Sequence, residues 1–242
     1  MNAETFVQWV GPEQRAADAL AEDTLHDFIH HLFDDRGVCG STVNRYIAAL
    51  YVLIKFAGLV KPQLPRFREN GGRFRTFTED ETAAVEQVLS RWGLNRERDL
   101  FRFLLDTGAR PYSEACSLHW RYVGDQRVTF INTKNGLDRT IPLTPLAWEA
   151  VQRQRKLGLK GPWTDISDWR MVNLWRKIRE ELPELKDTVL YTCRHSCASR
   201  QVVKGVDLYR VMHWMGHKSY QTTMGYAHLA QDHLKENLRA LL

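Results

Sequence analysis

With 242 residues, 43% of them hydrophobic and 11% aromatic, the chain has the material for one large core or two smaller ones. Its formal charge of +5 conceals an asymmetry: residues 1–60 hold four Lys or Arg against eight Asp or Glu, leaving 30 against 21 for the rest, so a polyanion-binding surface is expected after Val60. The longest apolar stretch, Tyr46 to Val60, is broken by Lys55 and too short for a bilayer, the start lacks a signal pattern, and the four cysteines show no paired zinc spacing. Nothing here points to export or a membrane, and a soluble, cytoplasmic protein with reduced thiols is expected.

From Pro12 to Ala57 apolar residues recur at helical spacing: Ala16, Ala19 and Leu20, then Leu25, Phe28, Ile29, Leu32 and Phe33, then Val43, Tyr46, Ile47, Leu50, Leu53 and Ile54. The pattern predicts a small helical bundle, with Asp23 or Thr24 capping its second helix and Ser41 or Thr42 its third. Lys61 to Arg75 reads KPQLPRFRENGGRFR. Its prolines and glycine pair forbid a continuous helix, and its five basic residues against Glu69 suit a linker lying along a phosphate backbone.

Thr78 and Glu81 form a capping box ahead of a long amphipathic helix, and a further helix covers Leu100 to Ala109 and ends near Gly108. Pro111 suits a first helical position, which leaves Arg110 at a positively polarised helix start, where anions bind. Strands are expected at Trp120 to Val123, Arg127 to Ile131 and Arg139 to Pro142, with Lys134 at the tip of the second hairpin. Pro145 to Lys156 and Asp168 to Leu182 read as helices, with Trp163, Trp169 and Trp175 in the core, and a leucine-bearing helix over Ala227 to Leu242 closes the chain. The fold class expected is mainly α with a small antiparallel β-sheet.

The segment Tyr191 to His228 carries the chemistry. It holds Arg194, His217 and Tyr226, punctuated by Gly205 and Gly216 as helix stops, so that three short helices turn those groups toward one point. A phenol, with a pKa of about 10, attacks a phosphodiester poorly unless neighbours hold the anion, share the proton and neutralise charge on the phosphoryl oxygens. Arginine's permanent planar charge suits the oxygens and histidine the proton. Cys193, His195 and Cys197 alternate along a helix and would not converge on one ion, so no metal is expected.

This segment resembles the C-terminal half of the catalytic domain of tyrosine site-specific recombinases, the phage integrase family. The family's boxes are [His/Lys]-x-x-Arg-His, Gly-x-asp-leu, leu-Gly-His and Thr-x-x-x-Tyr. They read here as Tyr191-Thr-Cys-Arg194-His195, Gly205-Val-Asp207-Leu208, Met215-Gly216-His217 and Thr222-Thr-Met-Gly-Tyr226. Tyr191 departs from the pattern, standing where the family has His or Lys. Upstream, TGARPYSEACSLHW is similar to the family's first arginine box, with Arg110 and Glu114, and the run from Thr133-Lys134 to Arg139-Thr-Ile-Pro142-Leu143 looks like its lysine hairpin. Ser41-Thr-Val-Asn-Arg45-Tyr46 resembles a helix of its core-binding domain.

The resemblance implies a helical, SAM-like core-binding domain at 1–60, a basic linker at 61–75 and a catalytic domain at 76–242. It implies a cofactor-free reaction in which Tyr226 attacks a DNA phosphate to give a 3'-phosphotyrosyl link. Arg110 and Arg194 would hold the phosphoryl oxygens, Glu114 would orient Arg110, His217 would support the transition state, Lys134 would protonate the leaving oxygen, and Tyr191 would occupy a supporting place. Thr42, Asn44, Arg45 and Lys55 join Arg66, Arg68, Arg73 and Arg75 as candidate DNA contacts. Double-stranded DNA with a specific core site and a tetramer in the synapse are the implied partners, in the integration or excision of a phage or mobile element. A type IB topoisomerase-like relaxing enzyme and a non-catalytic DNA-binding regulator derived from a recombinase are the alternatives.

Overall fold

A computed structural model describes residues 2–68, 75–131, 136 and 138–229. The chain divides into two compact units, Met1–Gly72 and Arg73–Leu242. The first is helical: α1 (Asn2–Val10), α2 (Ala16–Ala19), α3 (Glu22–His30), a wider turn through Asp35, and α4 (Gly40–Phe56). Leu25, Phe28, Ile29 and Leu32 share a core with Val43, Ile47, Leu50 and Ile54, the inward stripes that helical spacing predicts. α1 lies before the expected start of the bundle at Pro12. Phe6 is buried with its ring edge-on to Phe28 at 5.0 Å, a contact that no periodicity within nine residues discloses.

Helix starts also differ from expectation. Ala21 and Cys39 hold the N-cap positions of α3 and α4 without a side-chain bond, so Asp23, Thr24, Ser41 and Thr42 all fall inside their helices. Packing sets the start of α4: Gly40 lies against Phe67, whose Cβ would be 2.7 Å from a Cβ at the glycine. Asn44 straps the same segment, its side chain accepting from the Phe67 N–H at 3.0 Å and donating to the Phe67 carbonyl at 2.9 Å.

In the second unit, α5 (Glu79–Arg91) opens on the capping box: Thr78 Oγ1 accepts from the Glu81 N–H at 3.1 Å, and the Glu81 carboxylate accepts from the Thr78 N–H at 2.9 Å. α6 (Asn95–Thr107), α7 (Pro145–Gln154), α8 (Asp168–Glu181) and α9 (Thr192–Val203) contribute to a core that includes Leu100, Phe103, Val151, Trp163, Trp175 and Cys193. Trp169, expected in that core, is 77% exposed. The inward face of α8 is Met171, Leu174, Trp175 and Ile178, and a residue two positions before Met171 points to the opposite side.

The sheet runs β1 (Val123–Gly124), β2 (Arg127–Phe130) and β3 (Arg139–Pro142), antiparallel throughout, with Val128 opposite Ile141. Trp120–Tyr122 forms a 3-10 turn instead of starting a strand. The Trp120 N–H donates to the Lys160 carbonyl at 3.1 Å and its indole N–H to the Leu159 carbonyl at 2.9 Å, which commits both to a loop. α10 (Leu208–Met215) begins on Asp207, whose carboxylate accepts from the Arg210 N–H at 3.0 Å, and stops at Gly216; α11 (Tyr220–Met224) follows. Lys134, Arg73 and most of the expected closing helix lie outside the described residues. Among the described residues, no helix is long and apolar enough to cross a membrane.

Removing the Thr78 hydroxyl leaves the Glu81 N–H without its partner, so Thr78→Ala is expected to lower unfolding stability by about 1 kcal/mol, read from urea denaturation.

Candidate active site

Two left-handed glycines organise the site. Gly108 (φ +65°) ends α6 and Gly216 (φ +63°) ends α10, and the last carbonyls of a helix have no partner within it. Arg194 on α9, 1% exposed, serves both ends: Nη1 donates to the Gly108 carbonyl at 2.6 Å and Nη2 to the Met215 carbonyl. Arg139, which opens β3, donates through Nε to the Trp214 carbonyl at 3.0 Å. Cations placed there also meet the negative ends of the helix dipoles.

Glu114 is the anion around which the other cations gather. Its buried carboxylate accepts two bonds of 2.8 Å from Arg139, one from Arg110 Nη1 and one of 2.8 Å from the Arg110 backbone N–H. Burial alone would push its carboxyl up, but the paired bonds and charge of Arg139, joined by Arg110, hold it below the usual carboxylate range. Arg139 stood in the hairpin motif with no task attached, yet it makes the bidentate contact that anchors this carboxylate.

Tyr226 sits on the turn after α11, 2% exposed, among Cys197, Ala198, Val202, Val211 and Met215. Its hydroxyl is 2.7 Å from Nδ1 of His195, and the Tyr191 ring meets His195 edge-on at 5.3 Å. Burial pushes the phenol far above its ordinary range, against the opposing pull of the Arg194 charge. His217, directly after Gly216, has Nδ1 2.9 Å from Thr223 Oγ1 on α11. Burial, then the charge of Arg194, holds His195 down to about 4; burial, then Arg194, Arg110 and Arg139, does the same to His217. Both rings are therefore neutral at pH 7. The combination offers permanent positive charge, two neutral imidazoles and a phenol in one place, which is an inventory for phosphoryl transfer.

Residues 75–233 match the model of the phage integrase family. The chain belongs to that family. Like other members of the phage integrase family, it has named relatives: it is 28% identical over 225 residues to tyrosine recombinase XerA of Pyrococcus furiosus, across 83% of this chain and 74% of that protein. It is 27% identical over 214 residues to the integrase of Escherichia phage P2, across 83% of this chain and 59% of that one. It spans 50% of the length of the matching Haemophilus phage HP1 integrase. Its fold is that of the Tn1549 transposon integrase solved in complex with transposon right end DNA, with a TM-score of 0.76 at 15% identity over 99% of this chain and 92% of that one. The XerH site-specific recombinase bound to its difH substrate aligns with a TM-score of 0.68 at 17% identity, over 91% and 70% of the two chains.

Of the residues singled out in this integrase-family sequence, Arg110, Glu114, Arg194, His217 and Tyr226 lie in one site, with Tyr191 beside His195. Lys134 and Arg73 fall outside the described residues. Arg75, expected on DNA, is instead taken up within the fold: Nε donates to both Asp187 carboxylate oxygens at 3.1 Å and Nη1 to Glu81 at 3.0 Å. Asn44, also expected on DNA, is occupied by the Phe67 backbone, and the Thr42 hydroxyl is 3.3 Å from Cys39 Sγ. Arg45, Lys55, Arg66 and Arg68 are exposed. Reading the residues alone missed Arg139 and His195. Arg139 was visible as the arginine of the hairpin box and His195 as the last residue of the Arg194 box, but the partner of His195 lies 31 residues away and has no local signal.

Glu114→Gln would leave Arg139 buried with its charge uncompensated, and a loss of about 3–5 kcal/mol in unfolding free energy is expected from chemical denaturation. His217 gives a pH signature. The unfolded chain protonates this imidazole near 6.5, while the folded one resists down to about 4. Below pH 6.5 protons therefore bind preferentially to the unfolded chain, so the contribution of neutral His217 is complete above 6.5 and lost as pH falls toward 4. Urea midpoints of the unaltered protein should fall more steeply across that window than those of His217→Gln.

Proposed function

We propose that the protein is a site-specific DNA recombinase that cuts and rejoins duplex strands through Tyr226. The observation that carries this reading is a tyrosine hydroxyl set in the field of Arg194, next to a group whose described members are three guanidiniums balanced by one carboxylate. Such an excess of fixed cationic charge suits an anion.

A backbone phosphate entering the site meets Arg110 and Arg194, which hold its non-bridging oxygens and stabilise the charge that grows on them. Tyr226 Oη bonds to phosphorus as the bond to the 5' oxygen breaks, leaving a 3'-phosphotyrosyl ester. Lys134 protonates the departing oxygen, and His217 donates a hydrogen bond to the phosphoryl group. The ester conserves the energy of the original bond, so a partner strand's 5'-hydroxyl completes the exchange without nucleotide or metal. Tyr226 is 2% exposed, so the elements packed over it give way as a DNA strand enters, while its hydroxyl stays beside His195.

Residues 1–60 and the linker after them contact the duplex, with exposed Arg45, Lys55, Arg66 and Arg68 on its phosphates. Exchange between two duplexes brings four protomers together, acting in the cytoplasm on a phage genome or mobile element. The DNA complexes of the Tn1549 integrase and XerH, which share this fold, support the reading of DNA as the substrate.

Covalent trapping tests it. Fragments of the DNA surrounding the coding region are incubated with the protein, adducts are recovered and sequenced, and the site is rebuilt as a nicked duplex that traps the cleaved state. A covalent adduct is expected with the unaltered protein and none with Tyr226→Phe. Arg110→Ala should retain DNA in mobility-shift assays while cleaving about 100-fold or more slowly. Strand cleavage that survives in Tyr226→Phe would refute the assignment.

A further inference from the structure

We propose that His195 is a catalytic residue, the group that takes the proton from Tyr226 during strand cleavage. The inference rests on the recombinase reading above and deepens it. Its first support is geometric: Nδ1 of His195 is 2.7 Å from the Tyr226 hydroxyl, within reach for direct transfer. The second is an exclusion within the site. Tyr191 occupies the place where the resembling box carries His or Lys, and so brings neither an imidazole nor an amine. His217 is engaged through Nδ1 with Thr223. The third is need, because a phenol in an apolar setting resists ionisation and cannot attack phosphorus while it keeps its proton.

The position is built, since α9 carries both His195 and the buried Arg194, and the Tyr191 ring abuts the imidazole. Among the described residues, the titratable and charged groups facing His195 include Arg194, Tyr191, Tyr226 and His217. Burial, then the charge of Arg194, depresses the basicity of the ring. A phosphodiester held by that arginine offsets its field, so the imidazole becomes a better base as the substrate arrives.

In the Nε2–H tautomer, Nδ1 accepts the Tyr226 O–H. As Oη bonds to phosphorus, the proton passes to Nδ1. The electron pair of the breaking phosphorus–oxygen bond leaves with the 5' oxygen, which takes its proton from the general acid of the reading above, Lys134. On rejoining, the imidazolium returns its proton to the departing phenolate.

The test is single-turnover cleavage of the nicked duplex by full-length His195→Asn and His195→Gln beside the unaltered protein, with thermal melts and mobility shifts to show that folding and DNA binding persist. Both amides keep a hydrogen-bonding group but cannot take up a transferred proton. Adduct formation is expected to slow about 100-fold or more at neutral pH, the deficit narrowing as rising pH supplies an external base. A second substrate replaces the scissile 5' oxygen with sulfur, which leaves as a thiolate without needing a proton. The deficit should persist with it. Rescue by sulfur would place His195 on the leaving-group side and overturn the proposal, as would cleavage at the unaltered rate or faster, the result if His195 merely latches the tyrosine. Absence of any adduct from the unaltered protein would instead sink the recombinase reading itself, and this proposal with it.

Discussion

The second unit depends on one buried carboxylate. Glu114 lies under the site with its side chain inaccessible, and it binds Arg139 through both guanidinium nitrogens and Arg110 through side chain and backbone. Without an anion there, guanidiniums brought close in a poorly solvated setting would repel one another strongly. Arg194 has a different solution. It is paired with the carbonyl ends of α6 and α10, which are themselves exposed by the left-handed turns at Gly108 and Gly216. Backbone geometry thus supplies the second half of the charge balance.

These contacts also explain why the glycines cannot be exchanged freely. A Cβ on Gly216 would lie 2.9 Å from Arg139 Cδ, and one on Gly108 2.8 Å from Met215 Cε, in addition to the strain of a positive φ. Helix ends, arginines and the carboxylate behave as one unit. Tyr226 is held differently. α11 is five residues long, and its ties to the site include the Thr223–His217 and Tyr226–His195 hydrogen bonds and the packing of Tyr226. A short segment so held can shift at modest cost while the arginine frame stays in place.

Charge is a less direct guide to the DNA surface than its total implies. Much of the basic excess beyond Val60 is consumed by pairs such as Arg96–Asp165, Arg102–Glu86, Arg153–Asp99 and Arg170–Glu97, which pin helices and loops of the second unit together. Arg75 belongs with them, bridging Glu81 and Asp187. The cations left to meet phosphates are therefore fewer than composition suggests, and the salt dependence of binding reflects those alone.

Local rules determined a good deal. The Thr78–Glu81 box, the stripes of α3, α4 and α8, the glycine stops and the strands β2 and β3 follow from capping, periodicity and turn chemistry, which act over a few residues and leave their marks in the chain. The order of the boxes around Arg110, Arg194, His217 and Tyr226 was equally legible. Tertiary structure decided what those rules cannot reach: that α1 is anchored by Phe6, that Trp169 faces outward, that Trp120 turns toward a loop, and that Asn44 and Arg75 spend their polar groups inside the fold. It also decided that Arg139 clasps Glu114 and that His195 faces Tyr226. Each of these is a contact between residues brought together by packing, and a hydrogen bond across tens of residues has no period and no spacing by which it can be read in advance.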